Sequence, residues 1–169
     1  MDDENSVQDQ PVINKAVTST ITEFFGSYTH SIDAKGRIII PNAYRDALGD
    51  VFTIGPTRDF KGIALYPNPV FNQIRDELNG MNQRKPFVQT YTMQFFKLSY
   101  RDMQADAQGR LQLPPKLRQR ILGEAKDLEI SGISNHVRIL DAEQANSADI
   151  DFMQHLDEIL EQMGNLDSD

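Results

Sequence analysis

Two stretches of this chain repeat each other: residues 33–45 read DAKGRIIIPNAYR, and residues 106–118 read DAQGRLQLPPKLR. They align without a gap at a constant offset of 73 residues. The identical positions are Asp33/Asp106, Ala34/Ala107, Gly36/Gly109, Arg37/Arg110, Pro41/Pro114 and Arg45/Arg118. Self-similarity at a fixed period indicates a duplicated structural unit. We therefore expect two copies of one small unit, copy one over about 24–80 and copy two over about 95–141.

Both copies predict the same order of local structure. Asp-x-x-Gly is a turn signal, because the Asp side chain bonds the backbone nearby and Gly tolerates positive φ. Strand-like residues follow at 37–40 and 110–113, and each run ends at a proline, which lacks the N–H that a sheet requires. A short helix then ends at Gly49 in copy one and at Gly123 in copy two. The two remaining strands of each copy are predicted at 51–54, 63–66, 128–130 and 137–140.

Helical patterns lie after each copy. Apolar residues at helical spacing predict one helix after residue 68. The aromatic residues Phe87, Tyr91 and Phe95 recur every four positions and predict a second helix over 87–96. We favour core packing as the role of this aromatic stripe, with a base-stacking platform as the alternative.

A last helix is predicted over 149–163, with one apolar face and one acidic face. Three roles are open for it: packing on its own body, docking between subunits, or mimicry of DNA charge. We favour packing or subunit docking.

The charge is unevenly distributed along the chain. The net charge is -8, with five acids and one base in residues 1–23 and nine acids and no Lys or Arg in 141–169. Residues 24–140 hold 16 basic and 11 acidic residues. A basic centre suits an anion-binding body, although charge alone favours an ordinary domain without a special partner.

Several functional classes lack their sequence signals. The chain has no cysteine, and its histidines, His30, His136 and His155, are widely separated. No P-loop, dinucleotide, zinc-protease or nucleophile-elbow motif is present, so we predict no enzyme, no cofactor, no metal and no small-molecule substrate. No apolar run approaches the roughly 20 residues of a membrane span, and the first residues lack a signal-peptide pattern, which predicts a cytoplasmic protein.

The paired D-x-x-G-R motifs, each followed by an apolar strand, a proline and an arginine, resemble the MraZ family of bacterial transcriptional regulators. The resemblance covers about 24–163. It implies a mainly β fold with short helices (α+β), built as two tandem AbrB-type swapped-hairpin β-barrel halves with pseudo-two-fold symmetry. The implied organisation is an extension disordered over 1–23, repeat one and its helix over 24–80, a linker helix and repeat two over 81–141, and an acidic helix and tail over 142–169.

The resemblance also implies a function. It implies a homo-oligomeric ring that binds double-stranded DNA at direct repeats in a promoter, within the nucleoid, upstream of the division and cell-wall gene cluster. The implied DNA-contacting residues are Lys35, Gly36, Arg37, Gln108, Gly109 and Arg110. Because Gln108 stands where copy one has Lys35, we expect Lys35 and Arg37 to dominate DNA affinity.

Structural roles compete with these assignments. Asp33 and Asp106 are expected to order the turns, and an Asp four residues before an Arg also fits an internal ion pair. Arg45 and Arg118 are expected to be structural or to lie at the rim, with Lys116 and Arg120 as weaker phosphate candidates, all four being on the short helices. The alternative function is an AbrB-like protein-interaction module, antitoxin-like or a structural ring, that does not act through DNA.

Overall fold

A computed structural model describes residues 23–166, so the predicted disordered extension lies outside the described residues except for Glu23. The strands of this range are β1 (Ser27–Ser31), β2 (Arg37–Ile39), β3 (Phe52–Pro56), β4 (Ile63–Pro67), β5 (Tyr100–Met103), β6 (Arg110–Gln112), β7 (Asp127–Gly132) and β8 (Val137–Asp141). The helices are α1 (Asn42–Leu48), α2 (Asn68–Gly80), α3 (Pro86–Lys97), α4 (Pro115–Leu122), α5 (Ala142–Gln154) and α6 (Leu156–Leu166). Both copies thus follow the predicted order of turn, strand, short helix, strand and strand, and each has a further strand, β1 or β5, before its turn.

The two copies exchange strands. A six-stranded antiparallel sheet has the order β1-β7-β8-β4-β3-β5, and a separate two-stranded ribbon pairs β2 with β6. β1 of copy one therefore pairs with β7 of copy two, while β5 of copy two pairs with β3 of copy one. The list of pairs is unchanged when the copies are interchanged, so the duplicated sequence produces a duplicated pairing scheme.

Two features of the expected architecture need correction. The chain is not mainly β: within 23–166 the helices hold more residues than the strands, because α2, α3, α5 and α6 lie outside the repeated motif. Hydrogen bonds also do not close the described strands into a barrel, since β1 and β5 are the free edges of the sheet. The observed fold is a mixed α+β fold with an antiparallel sheet.

The sheet separates two apolar cores. Side chains of β4 alternate between them, with Ile63 and Leu65 on one face and Ala64 and Tyr66 on the other. The first core lies under the ribbon and includes residues of α1 and α4. The second core lies under α2 and α3 and centres on Phe95, which is fully buried. The ribbon is consequently an outer layer of the molecule, opposite α2 and α3.

The aromatic stripe is only partly a core element. Phe95 packs on Phe71 and Phe60, as the core interpretation predicts. Tyr91 is half-buried against Phe60, but Phe87 is 73% exposed. Four-residue spacing drifts around a helix of 3.6 residues per turn, and Phe87 lies at the start of α3, beyond the edge of the core.

The prediction of one helix over 149–163 was wrong. The structure has two helices in this region, α5 and α6, and α5 begins earlier than predicted. α5 begins at Ala142, directly after β8, because the side chain of Asp141 accepts a hydrogen bond from the Glu143 N–H and caps the helix. The helix is interrupted at His155, whose Nδ1 lies 2.8 Å from the carbonyl oxygen of Asp151. No helix within 23–166 has the length and apolar character that a bilayer crossing requires.

Candidate nucleic-acid interface

Each D-x-x-G-R turn is ordered by its own aspartate. Asp33 Oδ1 accepts hydrogen bonds from the backbone N–H groups of Lys35 and Arg37, both at 2.9 Å. Asp33 Oδ2 accepts from Arg37 Nε at 2.8 Å, which makes an ion pair four residues apart. Since one carboxylate binds both the backbone and the arginine, it fixes the loop and the direction of the Arg37 side chain together.

The second turn repeats this arrangement. Asp106 Oδ1 accepts from the N–H groups of Gln108 and Arg110 at 3.0 and 2.8 Å, and Asp106 Oδ2 accepts from Arg110 Nε at 2.6 Å. The Arg110 backbone N–H lowers the pKa of the Asp106 carboxyl, and the Arg110 side chain adds to this effect. Arg37 lowers the pKa of Asp33 in the same way. Both carboxylates are therefore ionised at neutral pH.

The ribbon places both arginines on one exposed face. In the register of the ribbon, Arg37 lies opposite Gln112, Ile38 opposite Leu111, and Ile39 opposite Arg110. Ile38 and Leu111 point into the first core and are buried. Side chains alternate along a strand, so the remaining ribbon residues share the outer face. That outer ribbon face consists of Arg37, Ile39, Arg110 and Gln112.

This face carries one apolar residue among polar ones. Ile39 is 47% exposed; it lies directly opposite Arg110 and two residues along its own strand from Arg37. Two residues of strand separate the register positions of Arg37 and Arg110, which corresponds to about 7 Å along the ribbon. The two turns lie at opposite ends of the ribbon because the strands that leave them run antiparallel. The structure thus brings both sequence-predicted turns to one continuous surface.

Each turn rests on an arginine from the other copy. Arg45 Nη2 donates to the Gln108 carbonyl at 3.2 Å, and Arg45 Nε donates to the Ile40 carbonyl at 3.0 Å. A Cβ atom at Gly109, where φ is +77°, would lie 2.1 Å from Arg45 Nη2. At Gly36, where φ is +78°, it would lie 2.7 Å from Arg118 Nη1. The glycines are thus required both by backbone conformation and by the guanidinium beneath them.

Sequence reasoning placed Arg45 and Arg118 among structural or rim residues without identifying what they contact. The sequence singled out these two arginines only because they occupy equivalent positions in the two copies. Their contacts run from one copy to the other and are visible only when β2 and β6 are paired. Gln112 was missed entirely: its Nε2 donates to the Lys35 carbonyl at 2.9 Å. Lys116 and Arg120 lie away from the ribbon, in a groove with Lys97 and Tyr100.

The two turns differ in the hydrogen-bond donors and the positive charge that they leave free for a ligand. Arg110 Nη2 donates to Gln108 Oε1 at 2.9 Å, so a neighbour within its own turn occupies part of its guanidinium. Among residues 23–166, the terminal nitrogens of Arg37 have no hydrogen-bond partner. Turn one also carries the exposed Lys35, while turn two has the neutral Gln108 at that position. Turn one therefore offers more positive charge and more unoccupied donors.

The outer ribbon face carries chemical groups that are able to bind an anion. Guanidinium groups bind phosphate oxygens or a guanine edge, and an exposed isoleucine provides apolar contact. Across the described range, no group of three or more His, Asp or Glu residues is arranged to hold a metal ion.

Comparison with known proteins gives consistent matches. A family model described as "MraZ protein, putative antitoxin-like" matches residues 24–93. A protein of Lachnoclostridium phytofermentans named "Transcriptional regulator MraZ" is 32% identical over 142 residues, which are 83% of this chain and 97% of the relative. Proteins with the same name are 30% identical in Finegoldia magna, over 85% of this chain and 99% of the relative, and 34% identical in Symbiobacterium thermophilum, over 70% and 84%.

Proposed function

Because this chain belongs to the MraZ family, whose curated relatives are named transcriptional regulators, we propose that it regulates transcription by binding duplex DNA with its outer ribbon face. The observation that carries the proposal is the placement of Arg37 and Arg110 on one exposed face, each aligned by its own aspartate. A regulator of this kind is not an enzyme.

The ribbon has dimensions that suit DNA. A two-stranded β-ribbon fits the major groove, where arginine side chains reach guanine and apolar side chains contact the thymine methyl group. In our proposal, Arg37 and Arg110 make the polar contacts, and Ile39, which lies opposite Arg110, makes an apolar contact beside them. Lys35 faces a phosphate, Gly36 and Gly109 supply the positive φ of the turns that present these side chains, and Gln108 adds a neutral contact.

One ribbon supplies limited affinity. A single good base contact discriminates by about 1–3 kcal/mol, so we propose that several subunits bind successive direct repeats in one promoter. Linked binding raises affinity through effective concentration. We place this promoter upstream of the division and cell-wall gene cluster, and we interpret the strand exchange between copies as the AbrB-type swapped-hairpin arrangement.

The C-terminal helices provide a surface for assembly. Within α6 no residue is buried, and α5 buries only Ala145. Their exposed apolar residues are Ile150, Phe152, Met153, Leu160, Met163 and Leu166. Residues 141–166 also carry seven acidic and no basic residues other than His155. We propose that α5 and α6 dock on a second copy of this chain.

A complementary surface exists on the same chain. The groove beside α3 and α4 is lined by Lys97, Lys116 and Arg120. Gln94 joins this groove to an apolar hollow around the exposed ring of Phe87. The docking surface and its receptor are different patches, so contact between them is head-to-tail and closes into a ring if the rotation permits. This is the docking role among those that the sequence left open.

The alternative function is a protein-interaction module that does not act through DNA. The exposed apolar helices α5 and α6 are the feature that favours it, since a partner protein would cover the same surface. Binding of a partner there predicts no dependence on the ribbon arginines.

Fluorescence anisotropy with DNA tests the proposal. The duplex carries the sequence upstream of this chain's own gene, a scrambled duplex is the reference, and several salt concentrations are used. We expect sequence-preferring, salt-sensitive binding, which Arg37→Ala weakens by about tenfold or more. Arg75→Ala is the matched control, because Arg75 lies on α2 and pairs with the exposed Asp76.

Two results would contradict the proposal. Unchanged affinity of a folded Arg37→Ala variant would exclude this residue from the interface. Binding of neither duplex by the folded, assembled protein would favour the protein-interaction function instead.

A further inference from the structure

A cavity of about 360 Å³ lies on the far side of the sheet from the ribbon. It opens between α2, β4 and the β7–β8 hairpin, so residues of both copies line it. Tyr66 and His136 lie against each other at its base, with ring centroids 5.4 Å apart. Val70, Ile74 and Ile133 add apolar walls. This volume falls within the range of small-molecule sites.

Arg138 is the unexplained residue of this cavity. Its Nε atom is buried and has no hydrogen-bond partner in residues 23–166. Its cross-strand neighbour Ser131 has a buried Oγ atom that also lacks a partner. Buried polar groups are nearly always hydrogen-bonded, and a donor on a cation is costly to leave unpaired. Because Arg138 lines the cavity and Ser131 does not, the unpaired Nε of Arg138 is the donor that a ligand in this cavity would meet.

The acidic residues nearby are already engaged. Glu77 forms a two-pronged ion pair with Arg58, with N–O distances of 2.9 and 2.7 Å. Asp59 accepts hydrogen bonds from the Thr57 hydroxyl at 2.7 Å and from the Lys61 N–H at 3.0 Å. Arg138 forms no ion pair with either carboxylate within the described range.

His136 is neutral and does not offset the positive charge of Arg138. Its Nδ1 lies 2.7 Å from Asn135 Oδ1, and burial lowers the pKa of the imidazole, with Arg138 and Arg58 acting in the same direction. The neutral imidazole and the Tyr66 ring pack together and line the cavity with the unpaired guanidinium of Arg138. The Tyr66 hydroxyl donates to the Pro56 carbonyl at 2.8 Å and is therefore occupied.

We propose that this cavity binds a small organic oxyanion, a carboxylate or a phosphate ester, whose anionic group pairs with Arg138 and whose apolar part lies against Tyr66 and His136. The planar guanidinium forms paired hydrogen bonds with a carboxylate and with a phosphate alike, so we expect both kinds of oxyanion to bind. The ligand would contact elements of both copies from the side opposite the ribbon. The proposal stands independently of DNA binding.

Isothermal titration calorimetry on the full chain tests this site with three probes of similar size. Benzoate and phenyl phosphate carry an oxyanion on an aromatic ring, and benzyl alcohol carries the ring without the charge. We expect both anions to bind saturably, one per chain, and benzyl alcohol to bind at least about tenfold more weakly, because a charged hydrogen bond is lost.

Variants of Arg138 locate the binding. Arg138→Met removes the charge and keeps an apolar stem, so we expect at least about a tenfold loss for both anions. Arg138→Lys keeps the charge without the planar fork and should bind with intermediate affinity, which keeps the test informative if Arg138→Met does not fold. Arg75→Met is the control and should bind as the parent does.

Thermal unfolding gives a second readout. Saturating benzoate should raise the Tm of the parent chain and of Arg75→Met but not that of Arg138→Met, because only a chain that binds the ligand gains stability from it. The proposal is overturned if neither anion binds saturably, if benzyl alcohol binds as well as the anions, or if a folded Arg138→Met keeps the parent affinity.

Discussion

The two D-x-x-G-R turns share one backbone arrangement but present different chemistry. In both, an aspartate accepts two backbone N–H groups and the Nε of the arginine four residues on. In turn two, Gln108 accepts a hydrogen bond from the guanidinium of Arg110. In turn one, Lys35 stands at the equivalent position and adds a second cation beside Arg37. The two copies share the aspartate-ordered turn, but they differ at the exposed position held by Lys35 in copy one and by Gln108 in copy two.

The support beneath the turns has diverged as well. The Lys35 carbonyl of turn one accepts from Gln112, while the equivalent Gln108 carbonyl of turn two accepts from Arg45. Arg45 holds a second hydrogen bond, to the Ile40 carbonyl, whereas Arg118 at turn one has none among the described residues. Turn two is therefore packed against a fixed group, and turn one against a group that can move.

The largest effect expected from this comparison is on stability. Gly109→Ala places a Cβ at 2.1 Å from Arg45 Nη2 at a positive φ, and it should lower the free energy of unfolding by about 3 kcal/mol. Gly36→Ala meets the far end of Arg118 at 2.7 Å and should cost about 1–2 kcal/mol. Urea denaturation of both variants measures the difference. Equal losses would show that the two arginines are equally mobile.

The helices after each copy provide a second comparison. α3 after copy one buries Phe95, while α6 after copy two buries no side chain. If α6 docks on a second chain, Leu160→Glu should weaken each subunit contact by about 2 kcal/mol, since an apolar side chain is replaced by a charge. Sedimentation velocity then shows smaller assemblies. Val51→Glu, at another exposed apolar residue, is the control. An unchanged assembly would exclude α6 from the interface.

The smallest effect concerns the residue that distinguishes the two turns. Lys35→Gln should reduce DNA affinity and Gln108→Lys should increase it, each by a few-fold, because one phosphate contact is lost or gained. The slope of log affinity against log salt should change by about 0.9 per contact in each direction. Anisotropy titrations at several salt concentrations measure both quantities. Identical slopes for the two variants would mean that neither position faces a phosphate.

Much of the local structure was predictable because its signals lie close together in the chain. Gly49 and Gly123 follow α1 and α4 at positive φ, as C-terminal glycines of helices do. The prediction of the C-terminal helix failed because polar side chains, and not the spacing of apolar residues, set where α5 begins and ends. Asp141 caps α5, which begins seven residues before the predicted start, and the His155 side chain bonds the backbone where the single helix was expected to continue.

The site was predictable only in part. The repeat identified both turns and both aspartates, and it marked Arg45 and Arg118 by their identity. It did not identify the partners of these arginines or of Gln112, because each contact joins residues more than 60 positions apart. The cavity around Arg138 left no sequence signal, since its lining comes from separate segments of both copies.

The sequence by itself determined the duplicated unit, its order of elements, and the family to which it is similar, because turn glycines, prolines and apolar spacing act over a few residues. Tertiary structure alone decided that the copies exchange strands and that β2 and β6 form one ribbon with both arginines outward. It also decided that each turn rests on an arginine of the other copy. The physical reason is that strand pairing and burial join distant segments, and the local pattern of either segment does not specify its partner.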